Sequence, residues 1–229
     1  MKFLKLFAVA FAALAVSVLI GNPCAEAFAS AQPVQKQHAV IIDAGHGGVD
    51  GGATSCTGVL ESQINLEIAL RLEELMHLLG YEPLMIRRTD ISVYTEGETI
   101  AAKKVSDLKQ RVRIVNETEG GFLISIHQNQ FSDSRYSGAQ VFYAKDEVSK
   151  LLATQLQRGL VDCLNTGSKR MAKQARGIYL MEKITNPGVL IECGFLSNIK
   201  EEALLRDAQY QKKLCAVIGA TLSTYWAGE

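Results

Sequence analysis

The chain has 229 residues, 48% hydrophobic and 21% charged, with Lys plus Arg and Asp plus Glu both at 24. That balance excludes a disordered chain and a multi-span membrane protein, and the absence of any basic excess gives nucleic acid no electrostatic footprint. The length suits one α/β domain around a single core.

The chain opens Met1-Lys2-Phe3-Leu4-Lys5, continues with an apolar run from Leu6 to Ile20, and reaches Ala27-Phe28-Ala29 before Ser30. A positive start, a short apolar middle and a small-x-small exit predict a signal peptide over 1–29. The alternative is an uncleaved membrane anchor, since the run is little shorter than the roughly 18 residues of a spanning helix. Either way the chain is expected to be exported across the cytoplasmic membrane, touching the membrane only through an uncleaved leader. Removing Lys2, Lys5 and Glu26 leaves 22 basic and 23 acidic residues, so the body stays near neutral. Pro23 precedes Cys24, where a lipidated cysteine needs a small residue, so a lipoprotein is not expected. Residues 30–37, small and polar with Pro33, read as a linker, and 38–229 as the catalytic domain.

Five cysteines, at 24, 56, 163, 193 and 215, form no CxxC pair and do not compel a disulfide framework. Cys163 and Cys215 fall in apolar helical stretches and are expected to be small buried groups.

Ala39-Val40-Ile41-Ile42 is a β-branched apolar run ended by Asp43-Ala44-Gly45, the pattern of a buried strand opening into a loop. Glycine-rich sequence follows to Gly58. Ile64, Ile68, Leu72, Leu75 and Leu79 recur at helical spacing and Gly80 closes them, predicting a helix over 62–79. A second strand is expected over 81–87. Residues 91–104 lack clean periodicity and read as a surface loop turning helical near 105–116. Strands follow at 122–126, with His127 at its end, and at 138–144; a helix covers 146–164. A further strand at 189–191 ends on Glu192, and two helices, 201–205 and 207–226, close the chain. This alternation implies an α/β fold: a mainly parallel but mixed, twisted sheet of about six strands with helices on both faces.

In such sheets functional groups gather beyond the strand ends. A catalytic zinc takes three His or carboxylate ligands and leaves one position for water. His46 stands among Gly45, Gly47 and Gly48, which let a metal and a substrate approach the backbone. Glu61 falls where the glycine-rich loop meets the next helix, placed to point back at His46. Taken singly, each has an ordinary reading: a solvated turn histidine, a helix-start acid worth about 0.3–1 kcal/mol against the dipole, and for His127 a core histidine bonded to a carbonyl. As three residues converging from separate segments they predict a zinc site. His38 and His77 are assigned no part in it. Glu192, half-buried before Cys193-Gly194-Phe195, is placed to act as general base and then general acid; its ordinary alternative is an ion pair with Arg176.

Other motifs fail on their residues. Asp50 stands where a dinucleotide fingerprint beginning at Gly45 needs glycine, and the chain has no P-loop ending, HExxH helix or GxSxG elbow.

The segments 40–48, 125–129 and 191–198, with Glu61 between the first two, resemble the zinc-dependent N-acetylmuramoyl-L-alanine amidases of the amidase-3 type. Arg87 and Asp90 fit that family's second strand ending, and Leu108, Arg111 and Asn116 its following helix. The match spans about 38–226. It implies that His46, Glu61 and His127 hold zinc, that Glu192 is the catalytic glutamate, and that the substrate is peptidoglycan, cut at the amide between the lactyl group of N-acetylmuramic acid and L-alanine. Asn129 and Arg176 are the candidates for substrate contact, Arg176 toward substrate carboxylates. Gln128-Asn129-Gln130 replaces the small residue usual in many family members, and the segment 138–143 with Ile191-Glu192-Cys193 is similar to the germination-specific branch of spore formers, implying removal of peptide stems for muramic-lactam formation in spore cortex, in the cell wall or the forespore intermembrane space. The long insert that blocks septal amidases is missing, and so is a wall-binding repeat, so an accessory protein is expected to aid localisation, zinc binding or activity. Two rivals remain. A metallocarboxypeptidase needs its first His and Glu within one short HxxE segment, whereas His46 and Glu61 are 15 positions apart. A zinc-binding regulatory module, weakly active without a partner, would keep all four residues.

Overall fold

Val40, Ile42 and Ala44 point to one side of the first strand and Ile41 and Asp43 to the other, and all five are buried, because the strand is covered on both faces. The computed structural model describes residues 39–228. The expected leader 1–29 and linker 30–37, with Cys24 and His38, lie outside the described residues. No helix among the described residues is long and apolar enough to cross a membrane.

Strands β1 (Ala39–Ala44), β2 (Leu84–Met85), β3 (Gly121–Asn129), β4 (Gln140–Tyr143), β5 (Lys173–Gln174) and β6 (Gly188–Phe195) form one sheet in the order β2-β1-β3-β6-β4-β5. Every neighbouring pair is parallel except β4 with β6. The exception has a local cause. The segment joining β3 to β4 contains no helix, so the chain enters β4 at the end where it left β3 and must run back. The mixed sheet of six strands agrees with the sequence expectation.

Helices α1 (Glu61–Leu78), α3 (Glu147–Cys163) and α6 (Ala208–Ala227) cover one face, and α2 (Ile100–Glu117) with the short α4 (Tyr179–Lys183) the other; α5 (Ile199–Leu205) precedes α6. On the first face Ile64, Ile68 and Leu72 of α1, Leu152 and Leu156 of α3, and Leu214 and Ile218 of α6 meet Val40, Ile124 and Ile191 with no exposed surface beyond 1%. Each such side chain contributes roughly 1.5–3 kcal/mol of burial.

The second face changes character along the strands. Ile41 and Leu123 pair in register and are apolar; two residues on, Asp43 pairs with Ser125; two further, His127 pairs with Glu192. The sheet therefore runs from core to buried polar layer to functional side chains within one face.

Several boundaries differ from the sequence reading. α2 begins at Ile100, inside the stretch expected to be loop, because Thr99 caps it by accepting from the Ala102 amide (3.2 Å). Its first turns are solvent-exposed, so they carry no apolar stripe. β3 and β6 continue to Asn129 and Phe195, so His127 and Glu192 sit within strands, not at their ends. β2 is only two residues long, and β5 and α4 had no sequence signal. Cys215 is buried as expected, but Cys163 is exposed because it closes α3 on its outer side; the four described cysteines are free.

Candidate metal centre and catalytic carboxylate

β1 delivers the chain to a tight turn. The Gly45 amide still donates to the Ile126 carbonyl (3.0 Å), and then His46 adopts φ 62, the sole non-glycine residue with positive φ among those described. Gly47 and Asp50 exchange two backbone hydrogen bonds (2.8 and 3.1 Å), folding the loop back on itself. Two buried arginines hold this turn by its carbonyls. Arg87 donates to Ala44 O (2.7 Å), Gly45 O (3.0 Å) and Ser62 O (2.8 Å), and Arg111 donates to Ala44 O (3.1 Å) and His46 O (2.7 Å). Arg111 is itself paired with Asp43 and Asp107, so its charge is not left alone in the interior. Glycine is required at Gly45, where a Cβ would overlap the His127 ring, and at Gly52, where it would lie 2.6 Å from Glu61 Oε2.

Glu61 occupies the first position of α1, and its buried carboxylate is fully oriented. Oε2 accepts from the Ala53 amide (2.9 Å); Oε1 accepts from the Gln128 amide (3.1 Å) and Asn65 Nδ2 (3.3 Å). The histidines approach the same group, His127 Nδ1 at 3.0 Å from Oε1 and His46 Nε2 at 3.3 Å from Oε2. Burial opposes the Glu61 charge, but the hydrogen bonds and charges of His127 and His46 outweigh it and hold the carboxyl well below its usual range. The two imidazole rings meet edge to face with centroids 4.9 Å apart.

His46, Glu61 and His127 thus offer ligand atoms that all lie within 4.8 Å of one another. This donor set fits a divalent metal: two imidazoles and one carboxylate, the composition of hydrolytic sites that leave a position open. His46 donates from Nδ1 to Asp50 Oδ2 (2.9 Å), which turns Nε2 toward the cluster, the arrangement by which an outer carboxylate fixes a ligating histidine. Asp50 in turn pairs with Lys104 of α2 (2.9 Å). Burial pushes the His46 ring down, yet the hydrogen bonds to Asp50 and Glu61 outweigh it and raise its pKa to about 9.

Glu192 stands beside His127 on the neighbouring strand. Its Oε2 is buried and has no hydrogen-bond partner. Burial, with the Glu61 charge adding to it against the opposing histidines, pushes its pKa up to about 6. The ion pair with Arg176 is not made; Arg176 is exposed and precedes Gly177, which lines a cleft of about 280 Å³. The cleft opens beside the ligands, with Lys104, Tyr179 and Leu190 among its lining residues, and Arg176 does not line it. Asn129 is half-buried at the end of β3, where its carbonyl accepts from the Leu196 amide (2.8 Å). His77 is far from the cluster, beside Glu73 and Glu82 on the outside of α1.

Sequence reasoning missed Asp50, which entered only as the residue that spoils a dinucleotide fingerprint, and gave Arg87 and Arg111 no role. The one available signal was the spacing of four between His46 and Asp50 in a loop of glycines.

An α/β sheet that gathers a His–Glu–His donor set with an unpartnered carboxylate on the adjacent strand defines a hydrolase. The chain belongs to the Amidase_3 family, N-acetylmuramoyl-L-alanine amidase, whose model matches residues 40–223. It is 37% identical over 193 residues to the germination-specific N-acetylmuramoyl-L-alanine amidase of Bacillus subtilis (strain 168), covering 82% of this chain and 79% of that one. Among solved structures it is similar to the CwlD amidase from Clostridioides difficile, determined in complex with the GerS lipoprotein, with a TM-score of 0.80 and 39% identity over 84% of this chain and all of that one. An N-acetylmuramoyl-L-alanine amidase from Clostridium difficile 630 follows at TM-score 0.73 and 26% identity, over 84% and 98% of the two chains. Family membership sets aside the carboxypeptidase reading.

Proposed function

We propose that this amidase is zinc-dependent and hydrolyses the amide between the lactyl group of N-acetylmuramic acid and L-alanine in peptidoglycan, stripping peptide stems for muramic-lactam formation in spore cortex. The observation that carries the reading is the buried, unpartnered Glu192 Oε2 beside His127 in a three-donor site.

His46, Glu61 and His127 would hold the zinc, which when bound supplies Lewis-acid polarisation of the carbonyl and lowers the pKa of water from 15.7 toward about 7. The protein's own part is orientation and proton transfer. Asp50 keeps the His46 ring turned inward, and the backbone amides of Ala53 and Gln128 fix the Glu61 carboxylate. Glu192 takes the proton of the attacking water and returns it to the leaving nitrogen. A carboxyl raised to about 6 by burial is matched to both halves of that exchange near neutral pH. Asn129 and Arg176 are assigned to the substrate, Asn129 from the strand that carries His127 and Arg176 from the position before the cleft-lining Gly177, its charge suited to carboxylates of the peptide stem.

The spore-cortex role is supported by the similarity to the germination-specific enzyme, and export to the cell wall or forespore intermembrane space by the leader pattern. An accessory protein that aids zinc binding or activity is supported by the neighbour that is assembled with a lipoprotein.

Incubating the purified, zinc-loaded protein with muropeptides and weighing the products by mass spectrometry separates the readings. Free peptide stems beginning at L-alanine are the expected product; shortened stems still attached to sugar overturn the assignment in favour of a peptidase.

A further inference from the structure

Beyond the cleft, the same end of the sheet carries a group of aromatic rings that the chemistry above does not use. Phe131 and Tyr136 lie in the connection from β3 to β4 and are 51% and 47% exposed. Their centroids are 4.8 Å apart, edge to face, and Tyr136 continues to Phe195 at 6.1 Å, over which Arg170 lies at 5.2 Å. β3 and β6 leave the sheet at this end with His127 and Glu192 near their ends, and the antiparallel β4 enters it here.

The rings are held in place. The Phe131 amide donates to Ser197 Oγ (3.2 Å), Asn198 Nδ2 to Tyr136 O (3.3 Å), and Arg170 Nη2 to Ser137 O (3.1 Å), while Arg135 grips Asp133 within the same connection. Gln130 Nε2 donates to Thr54 O (3.0 Å), tying this connection to the loop between His46 and Glu61. Large apolar groups kept exposed on a loop whose backbone is braced from several sides mark a binding surface.

We propose that Phe131 and Tyr136 form a stacking platform for the sugar rings of the glycan strand next to the muramoyl unit being processed. The inference rests on the amidase reading of the neighbouring site, which requires the scissile amide to hang from a sugar and so brings glycan to this end of the sheet. The chemistry favours a sugar over a protein occupant. The connection that carries the rings also carries Ser132, Ser134 and Ser137, whose hydroxyls suit a ligand with C–H faces and hydroxyl or amide edges. A dry protein interface would instead need a wider apolar core around the two rings.

The test uses the full chain loaded with zinc and two substrates, polymeric glycan strands bearing peptide stems and a single N-acetylmuramoyl-peptide. For the double variant F131A/Y136A, with thermal melting as the folding control, the ratio of kcat/KM on polymer to that on the single unit is expected to fall about five- to tenfold, through KM, as loss of aromatic contacts implies. The ring-preserving variant F131W/Y136F restores it. Retention on peptide-free glycan strands, which needs no turnover, falls in parallel. A ratio and a retention that both match the unaltered protein overturn the platform, and that is also the result if a protein partner is the true occupant. If the unaltered protein releases peptide stems from neither substrate, the amidase reading falls, and glycan retention still decides the platform.

Discussion

Arg111 donates from Nη2 to the carbonyl oxygen of His46 at 2.7 Å, and that bond holds a metal-ligand candidate in the left-handed backbone conformation its side-chain direction depends on. The same guanidinium reaches Ala44 O, Asp43 and Asp107, so one buried charge couples α2 to the end of β1. Arg111→Lys keeps the charge but cannot span these acceptors. The variant is expected to fold with stability lowered by about 1.5–3 kcal/mol, the scale of a charged hydrogen bond, and to bind zinc at least tenfold more weakly, the scale for outer groups that orient ligands. Chelator competition checks the second effect. Unchanged affinity in a destabilised protein would make Arg111 purely a scaffold residue.

His46 ties metal binding to pH. In the metal-free protein its pKa is raised to about 9, with burial opposing and the Asp50 and Glu61 hydrogen bonds prevailing. A raised histidine contributes stability that is fully present below its ordinary value of 6.5 and is lost as pH climbs through about 9. A metal needs the neutral ring, so zinc binding at pH 7.5 should expel a proton and apparent affinity should rise with pH across that window. Calorimetric titration in two buffers of different ionisation enthalpy measures the proton count. Heats independent of buffer would contradict it.

Glu192 is costly to the metal-free protein. Burial raises its pKa from 4.5 to about 6, so its contribution to stability is highest below pH 4.5 and is lost as pH rises through 6. Glu192→Gln removes that penalty. Without metal, the variant should be more stable than the parent at pH 7.5 by about 2 kcal/mol, taking 1.36 kcal/mol per unit, with the difference vanishing near pH 4. Denaturant melts at the two pH values decide it.

Gly45→Ala is a steric test of the site. The added methyl would overlap the His127 ring, so either the ring or β1 must move. Loss of zinc binding is expected in a protein whose far-ultraviolet circular dichroism is preserved, whereas Gly58→Ala, facing open space at φ +90, should strain the loop without touching the ligands.

The four central residues were legible because each lies next to a feature that sequence displays: glycines around His46, the loop-to-helix junction at Glu61, and the apolar runs before His127 and Glu192. The two layers of core were legible for the same reason, since Val40 to Ile42 are apolar at every position and Phe122 to Ile126 at every position but Ser125. Asp50 was not, because its reach to His46 depends on a left-handed turn that spacing alone does not reveal. Arg87 and Arg111 were hidden by their chemistry, since arginines are ordinarily solvated and here are 2% exposed. β5 and α4, at two and five residues, are too short to carry a period.

The most direct test of the account compares Glu192→Gln with His127→Ala, each after zinc loading and metal analysis, on muropeptides read by mass spectrometry. Glu192→Gln is expected to retain one zinc and release peptide stems at least about 100-fold more slowly, the lower range for a lost general base, while His127→Ala loses metal and activity together. Stem release at the parental rate by a zinc-loaded Glu192→Gln protein would contradict the assignment of proton transfer to Glu192.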